Sequence, residues 1–366
     1  MDLPSPTVQG TASESTSLRL RLKNFLASAL LVVVACGSYA IAPVHRHATE
    51  TLFGPPSFAI TGRDFLLYAG SLYLVCLAIF FLTEASPGVS KSLRFLRIAA
   101  RTLRHPVRSF RTGLTRDERL AVLATLLKAF FAPLMALILM RMCMGALMDG
   151  QAVRAFAVGA SAVEIFNTYG FWLAFQVIIF VDVLVFTAGY LIELPLLRNQ
   201  IRSVDPTIVG WAAALLCYPP FNSITAVIIG SPASEFPQFD DPTLHVVMNV
   251  IVLLLMAGFA SASIALGFKA SNLTHRGIIA RGPYALVRHP AYICKNAAWW
   301  IGSIPTVTLA FDTSAFAGLQ SLGSVMGVTL LYALRALTEE DHLRSVDGEY
   351  EAYAAKVRYR FVPGLF

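Results

Sequence analysis

Charged residues are scarce in this chain. Only 14% of its 366 residues are Asp, Glu, Lys or Arg, against 56% hydrophobic, and the mean hydropathy is +0.63. A water-soluble fold could not cover so much apolar surface, so the bilayer must be the solvent for most of the chain. Alternating apolar and polar positions are missing too. The apolar runs are long and unbroken, which excludes a barrel, because backbone groups in lipid must be satisfied within each segment. The expected class is an all-α polytopic membrane protein. Cysteine is sparse: Cys36, Cys76, Cys143, Cys217 and Cys294 stand singly, with no CxxC spacing. That excludes a disulfide framework or a zinc site, and four of the five lie in apolar runs as small hydrophobes. His45-Arg46-His47 reads as a solvated loop, so no metal is expected.

What is present comes in blocks. Residues 1–18 are Ser/Thr-rich and aperiodic, and read as a disordered tail. Candidate spans follow at Phe25–Ala42, Asp64–Leu82, Leu120–Met148, Phe171–Ile192, Thr207–Gly230, Leu244–Phe268, Ala291–Leu309 and Ser314–Leu334. Each approaches or exceeds the roughly 20 residues that cross about 30 Å. Ala40-Ile41-Ala42 resembles a cleavage site, but the length of the run and Pro43 behind it favour a retained first span. About eight crossings result. The last two are joined only by Ala310–Thr313, as a C-terminal helical hairpin. Pro219-Pro220 should break or kink the fifth. Residues 19–205 read as an N-terminal transmembrane region and residues 206–366 as a second, catalytic-looking one.

Basic residues divide unevenly. With the N-terminus inside, cytoplasmic segments hold twenty-three Lys and Arg, and the outer loops hold only Arg46, Arg63 and Arg154. By the positive-inside rule both termini, and the polar blocks described next, face the cytoplasm of a multi-pass inner-membrane protein. The net charge of +7 is therefore no nucleic-acid footprint. Much of it lies in residues 91–119, where Arg94, Arg97, Arg101, Arg104, Arg108 and Arg111 run beside the apolar stripe Leu93, Leu96, Ala100, Leu103, Val107 and Phe110. That pattern predicts an interfacial helix on anionic lipid, kinked at Pro106.

Two polar blocks carry the chemistry. Residues 272–300 hold His275, Gly277, Gly282, Tyr284, Arg288, His289, Pro290 and Tyr292 between two spans. Pro290 fits the first turn of a helix, so Arg288 and His289 stand where free N–H groups and the helix dipole favour an anion. Arg288 is a planar fork for a carboxylate or phosphate. In the second block, Glu339 and Glu340 sit at the C-terminal end of the last span, against the dipole and only partly relieved by Arg335. Such a cost suggests a cationic or polyhydroxyl ligand; the alternative is a surface pair with Arg335. Together the blocks want a ligand with a carboxylate, a positive centre and hydroxyls, which leans towards S-adenosylmethionine over NADPH. Lys295, Asn296, Trp299 and Trp300 suggest an acceptor pocket, although the indoles also suit interfacial anchoring. Asp182, in mid-span, reads either as a helix–helix contact or as part of the substrate pocket.

The segment Gly-Pro-Tyr-Ala-Leu-Val-Arg-His-Pro-Ala-Tyr (282–292) is followed by a helical hairpin, then Arg-Ala-Leu-Thr-Glu-Glu-Asp-His-Leu (335–343), Gly-Glu-Tyr-Glu-Ala-Tyr (348–353) and Arg-Phe-Val-Pro (360–363). In order and spacing this resembles the isoprenylcysteine carboxyl methyltransferase family and the related phospholipid N-methyltransferases. The resemblance covers about the last 120 residues. It implies an S-adenosylmethionine-dependent enzyme of the membrane, with cofactor held by Gly282, Tyr284, Arg288, His289, Pro290 and Tyr292, and with Glu339 and Glu340 closing over it. His275 carries over with a spacing one residue longer. Arg288, His289 and Glu340 are the implied catalytic groups, and the acceptor an amphiphile arriving from the lipid, with carboxylate O-methylation favoured over N-methylation. The sequence departs from many relatives at Ile293-Cys294-Lys295-Asn296. Sterol and steroid reductases end in a similar loop and use NADPH, but usually carry Asn where Ala291 stands here. An inactive membrane scaffold is the remaining alternative. Arg104-His105-Pro106 repeats the tripeptide without a following Tyr and reads as coincidence.

Overall fold

The computed structural model describes residues 9–83, 88–230 and 233–364. It is an all-α polytopic membrane protein. Among the described residues six helices are long and apolar enough to cross a bilayer: Leu18–Ile41, Gly62–Thr83, Arg116–Phe156, Ala162–Leu191, Pro242–Lys269 and Ala315–Val346. The chain divides into two compact units, Met1–Thr51 with Ile60–Leu137, and Leu52–Ala59 with Ile138–Phe366.

The first unit holds α1 (Gln9–Ile41), α2 (Arg46–Glu50), α3 (Gly62–Thr83), α4 (Lys91–Arg104), α5 (Pro106–Thr112) and the start of α6 (Arg116–Phe156). Of the segment expected to be a disordered tail, residues 1–8 lie outside the described residues, and the rest is the first part of α1. Buried Asn24 on α1 fixes the entry to α4: its amide donates to the Gly88 carbonyl (2.8 Å) and its oxygen accepts from the Ser90 N–H (3.0 Å). Ser90 then caps α4 by accepting from the Leu93 N–H. The helix stops at Arg104 because Pro106 has no N–H to donate and its ring would meet the preceding turn. The basic stretch 91–119 is thus three pieces: α4, α5 and the first turn of α6. His45 stacks on Tyr39, with centroids 3.9 Å apart.

The second unit adds α7 (Ala162–Ile165), α8 (Phe171–Leu191), α9 (Ile208–Leu215), α10 (Asn222–Ile228), α11 (Pro242–Leu266), α12 (Pro290–Thr313), α13 (Ala315–Val346) and α14 (Tyr350–Lys356). Central α11 packs against α8 on one side and α12 on the other, and α12 packs on α13. Phe171, Phe175, Val252, Met256 and Ala298 form the apolar core of that layer.

Two of the expected eight spans differ. Thr207–Gly230 is not one helix: Pro219-Pro220 interrupts the hydrogen-bond ladder between α9 and α10. Ala291–Leu309 lies within α12, which is 24 residues long but carries Lys295, Asn296 and Asp312, too polar to count with the six.

Short strands Ser203–Val204 and Thr274–His275 pair antiparallel, Ser203 opposite His275. Gly189 lies so close to the Ala270 backbone that a Cβ there would overlap its carbonyl. These contacts hold the C-terminal ends of α8 and α11 at the same end of the unit. The start of α12 and the end of α13 join them there.

Candidate functional site

The site begins with a strap. The loop before α12 is bonded to the C-terminal tail: Arg288 N–H donates to the Tyr359 carbonyl (3.0 Å) and His289 N–H to the Arg360 carbonyl (2.9 Å). Tyr353 Oη donates to the Tyr284 carbonyl (2.9 Å). Gly282 has φ +60°, a left-handed turn that a Cβ would strain. Pro290 is in the first turn of α12, as its missing N–H allows. Arg288 and His289 are thereby aimed at α13.

Glu340 receives them. Its side chain is fully buried (0% exposed), and two turns of chemistry converge on it. Arg288 Nη1 lies 3.0 Å from Oε2, Arg360 Nε 3.1 Å and Arg344 Nη2 3.3 Å from the same oxygen, and His289 Nε2 is 3.1 Å from Oε1. Arg288 Nη2 also donates to the Arg358 carbonyl (3.3 Å). An isolated carboxylate in that position would cost several kcal/mol, so the surrounding cations are what permit its burial. The cluster is closed: Glu340 is fully buried and both of its oxygens are engaged.

Glu339, one residue earlier, faces a different space. It is partly exposed, accepts from Tyr292 Oη, and lies 3.4 Å from Arg335 Nε. Arg335 is buried, donates to Asn272, and places its guanidinium over the rings of Tyr218 (5.7 Å), Tyr292 (5.3 Å) and Tyr332 (5.9 Å). Its Nε makes no hydrogen bond. The His289 ring stacks on Tyr292 at 5.4 Å, and Tyr332 stands edge-on to both Tyr292 and Trp299. Burial, with the charge of Glu339 adding, pushes the Tyr284 phenol well above its ordinary value, so this hydroxyl stays neutral.

The remaining expected residues fall into three places. His275 is buried, with Nε2 2.9 Å from Asp347 Oδ2. Burial lowers its pKa, and the charges of Arg202 and Lys269 add to this against the pull of Asp347. Lys295 lies among aromatic rings; Asn296 donates to the Tyr292 carbonyl (2.8 Å) and keeps a buried Oδ1 without a partner. Trp300 donates to Thr329 Oγ1 (3.0 Å), so both indoles pack on α13. Asp182 on α8 accepts from Ser263 Oγ on α11, a helix–helix contact.

The sequence reading missed Arg344, Arg360 and Asn272. Arg344 follows Glu340 by one helical turn, which is a usable signal. Arg360 and Asn272 are tertiary partners with no local signature. Among the described residues no group of three or more His, Cys, Asp or Glu could hold a metal.

Fold and site define a polytopic helical membrane protein with a charged, aromatic-lined site at one end of its helices. Residues 115–357, more than half of the chain, match the family described as "Protein of unknown function (DUF1295)", and the chain belongs to that family. No curated protein and no solved structure matches it.

Proposed function

We propose that the chain is an integral-membrane, S-adenosylmethionine-dependent methyltransferase for an amphiphilic acceptor. One observation carries this reading. The Arg288-His289-Pro290 turn and the Glu339-Glu340 pair meet across two helices, and beyond the closed Glu340 cluster they leave polar capacity unused.

That unused capacity fits the cofactor. Glu339, which Arg335 faces from 3.4 Å, is an acceptor for an ammonium or a ribose diol. The aromatic ring of Tyr292 suits a sulfonium. NADPH fits less well. It would bring phosphates, yet the fork of Arg288 is already taken by Glu340 and the Arg358 carbonyl.

When bound, the cofactor supplies an electrophilic methyl group. The chain's own residues then have positional work: Glu340 fixes Arg288 and His289, the tail strap closes the loop, and the aromatic rings exclude water. A carboxylate acceptor needs no base, and Glu340, engaged with three arginines, is a counter-ion instead of a proton acceptor.

The test is calorimetry on purified protein with S-adenosylhomocysteine and with NADPH. We expect binding of the first only, weakened at least about tenfold (about 1.4 kcal/mol) in Arg288→Ala. Binding of NADPH alone would sink this reading in favour of a reductase, and an unchanged Arg288→Ala would remove the assigned loop.

A further inference from the structure

Lys295 lies on α12, less than two turns from its start. Its ammonium does not extend to an acid. It sits over three rings: Phe259 at 5.2 Å, Trp299 at 5.1 Å and Tyr332 at 5.8 Å. Such faces stabilise the charge but accept no conventional hydrogen bond, so the three N–H donors remain available. Among the described residues no carboxylate lies within 4.0 Å of it.

Asp182 on α8 lies within Coulombic reach of it and beyond contact. Helix α11 fixes the geometry between the two. Phe259, under the ammonium, and Ser263, donating to Asp182, are four residues apart on one face of α11. Four residues are about 6 Å along the axis. A half-buried cation and a buried carboxyl are therefore held by contacts one turn apart on α11, with no ion pair between them, where an isolated charge is costly. That gap suits one carboxylate and one amine, each hydrogen-bonded at about 2.8 Å to its partner.

We propose that Lys295 and Asp182 form a binding site for a zwitterionic, amino-acid-type head group of a membrane amphiphile. Its carboxylate meets Lys295 Nζ, its amine meets Asp182, and Phe259, Trp299 and Tyr332 flank the first carbons of its chain. The methyltransferase reading supplies only the role of this ligand, as acceptor; the site itself rests on the charges and rings.

The amphiphile and the cofactor's own amino-acid end share this chemistry, so the experiment separates them. Wild-type protein in nanodiscs is titrated with 2-aminododecanoate, dodecanoate and dodecylamine, with binding read by calorimetry. We expect 2-aminododecanoate to bind at least about tenfold tighter than either single-headed probe (about 1.4 kcal/mol). Lys295→Met should reduce it to the level of dodecylamine, and Asp182→Asn to that of dodecanoate, with S-adenosylhomocysteine affinity unchanged in both. Equal binding of the three probes overturns the site, and so does displacement of 2-aminododecanoate by S-adenosylhomocysteine. The three-probe comparison needs no variant, so it decides the matter even if a substituted protein does not fold. Failure of S-adenosylhomocysteine to bind at all would remove the enzymatic role and leave the site standing.

Discussion

Arg-His-Pro occurs twice, at 104–106 and at 288–290, and the two copies have nearly the same backbone. His105 has φ −137° and ψ 65°, His289 φ −126° and ψ 59°, and each is followed by proline in the first turn of a helix. Each histidine carbonyl also accepts a bond from the new helix, from Ser109 N–H (3.0 Å) and Ile293 N–H (3.3 Å). The surroundings differ entirely. Residues 104–106 are exposed, and the acids closest to α4 in the fold, Asp117 and Glu118, pair with Arg94 and Arg101. His289 is 8% exposed and shares Glu340 with three arginines. The tripeptide thus encodes a turn, and a carboxylate about fifty residues downstream makes one of the turns a site.

The largest expected effect removes that carboxylate. Glu340→Gln leaves Arg288, His289, Arg344 and Arg360 around a neutral amide at a buried position, which should cost about 3–5 kcal/mol. His105→Ala, at an exposed position with no facing acid, should change stability by less than about 0.5 kcal/mol. Thermal unfolding of both variants in the same detergent measures the difference. If the two melt alike, the distinction between turn and site is wrong.

How much of this is legible in the sequence depends on range. The fold class follows from composition alone, since no other solvent suits 56% hydrophobic residues. The helix starts at Pro290 and Pro106 follow from proline's missing donor. Glu339 and Glu340 stand out because two adjacent acids oppose the helix dipole, but their division of labour does not. One faces inward and is saturated, the other outward and is available, and a rotation of 100° about α13 separates them. Arg335 reads as a surface partner of the glutamates. In the structure it is buried under three tyrosines, one from α12 and one from the turn between α9 and α10, and periodicity along α13 carries no record of that. The Phe259–Lys295 contact is hidden for the same reason. Hydropathy counts Thr207–Gly230 as a span because the apolar run is long enough, whereas the hydrogen-bond ladder fails at the proline pair.

A smaller effect tests another buried histidine, His275, against the pattern. His275 pairs with Asp347, yet burial depresses its pKa below the ordinary value of about 6.5. The unfolded chain then binds its proton more readily than the folded one. The contribution of His275 to stability is fully present above about pH 6.5 and is lost as pH falls through the lowered folded value. Denaturation midpoints measured from pH 7.5 to pH 5 should fall more steeply for wild type than for His275→Asn. A shallower fall for wild type than for His275→Asn would show instead that Asp347 holds the proton on His275 in the folded state, and identical slopes that burial and Asp347 cancel.

The smallest effect concerns the exposed copy and asks what its arginine does instead. Arg104 has no acid partner among the described residues, and it extends the basic face of a helix whose other side is aliphatic. On the amphipathic reading it lies against anionic headgroups, where one cation contributes about 1 kcal/mol or less and is screened within a Debye length of about 10 Å at 0.1 M salt. Arg104→Gln should therefore lower the amount of phosphatidylglycerol retained on extraction at low salt, and the difference from wild type should vanish at about 1 M salt, where the Debye length is about 3 Å. Stability and S-adenosylhomocysteine binding should not move. The reason is physical: an arginine facing water and lipid exchanges one hydrated anion for another, whereas Arg288, facing the buried Glu340 carboxylate, has no such substitute.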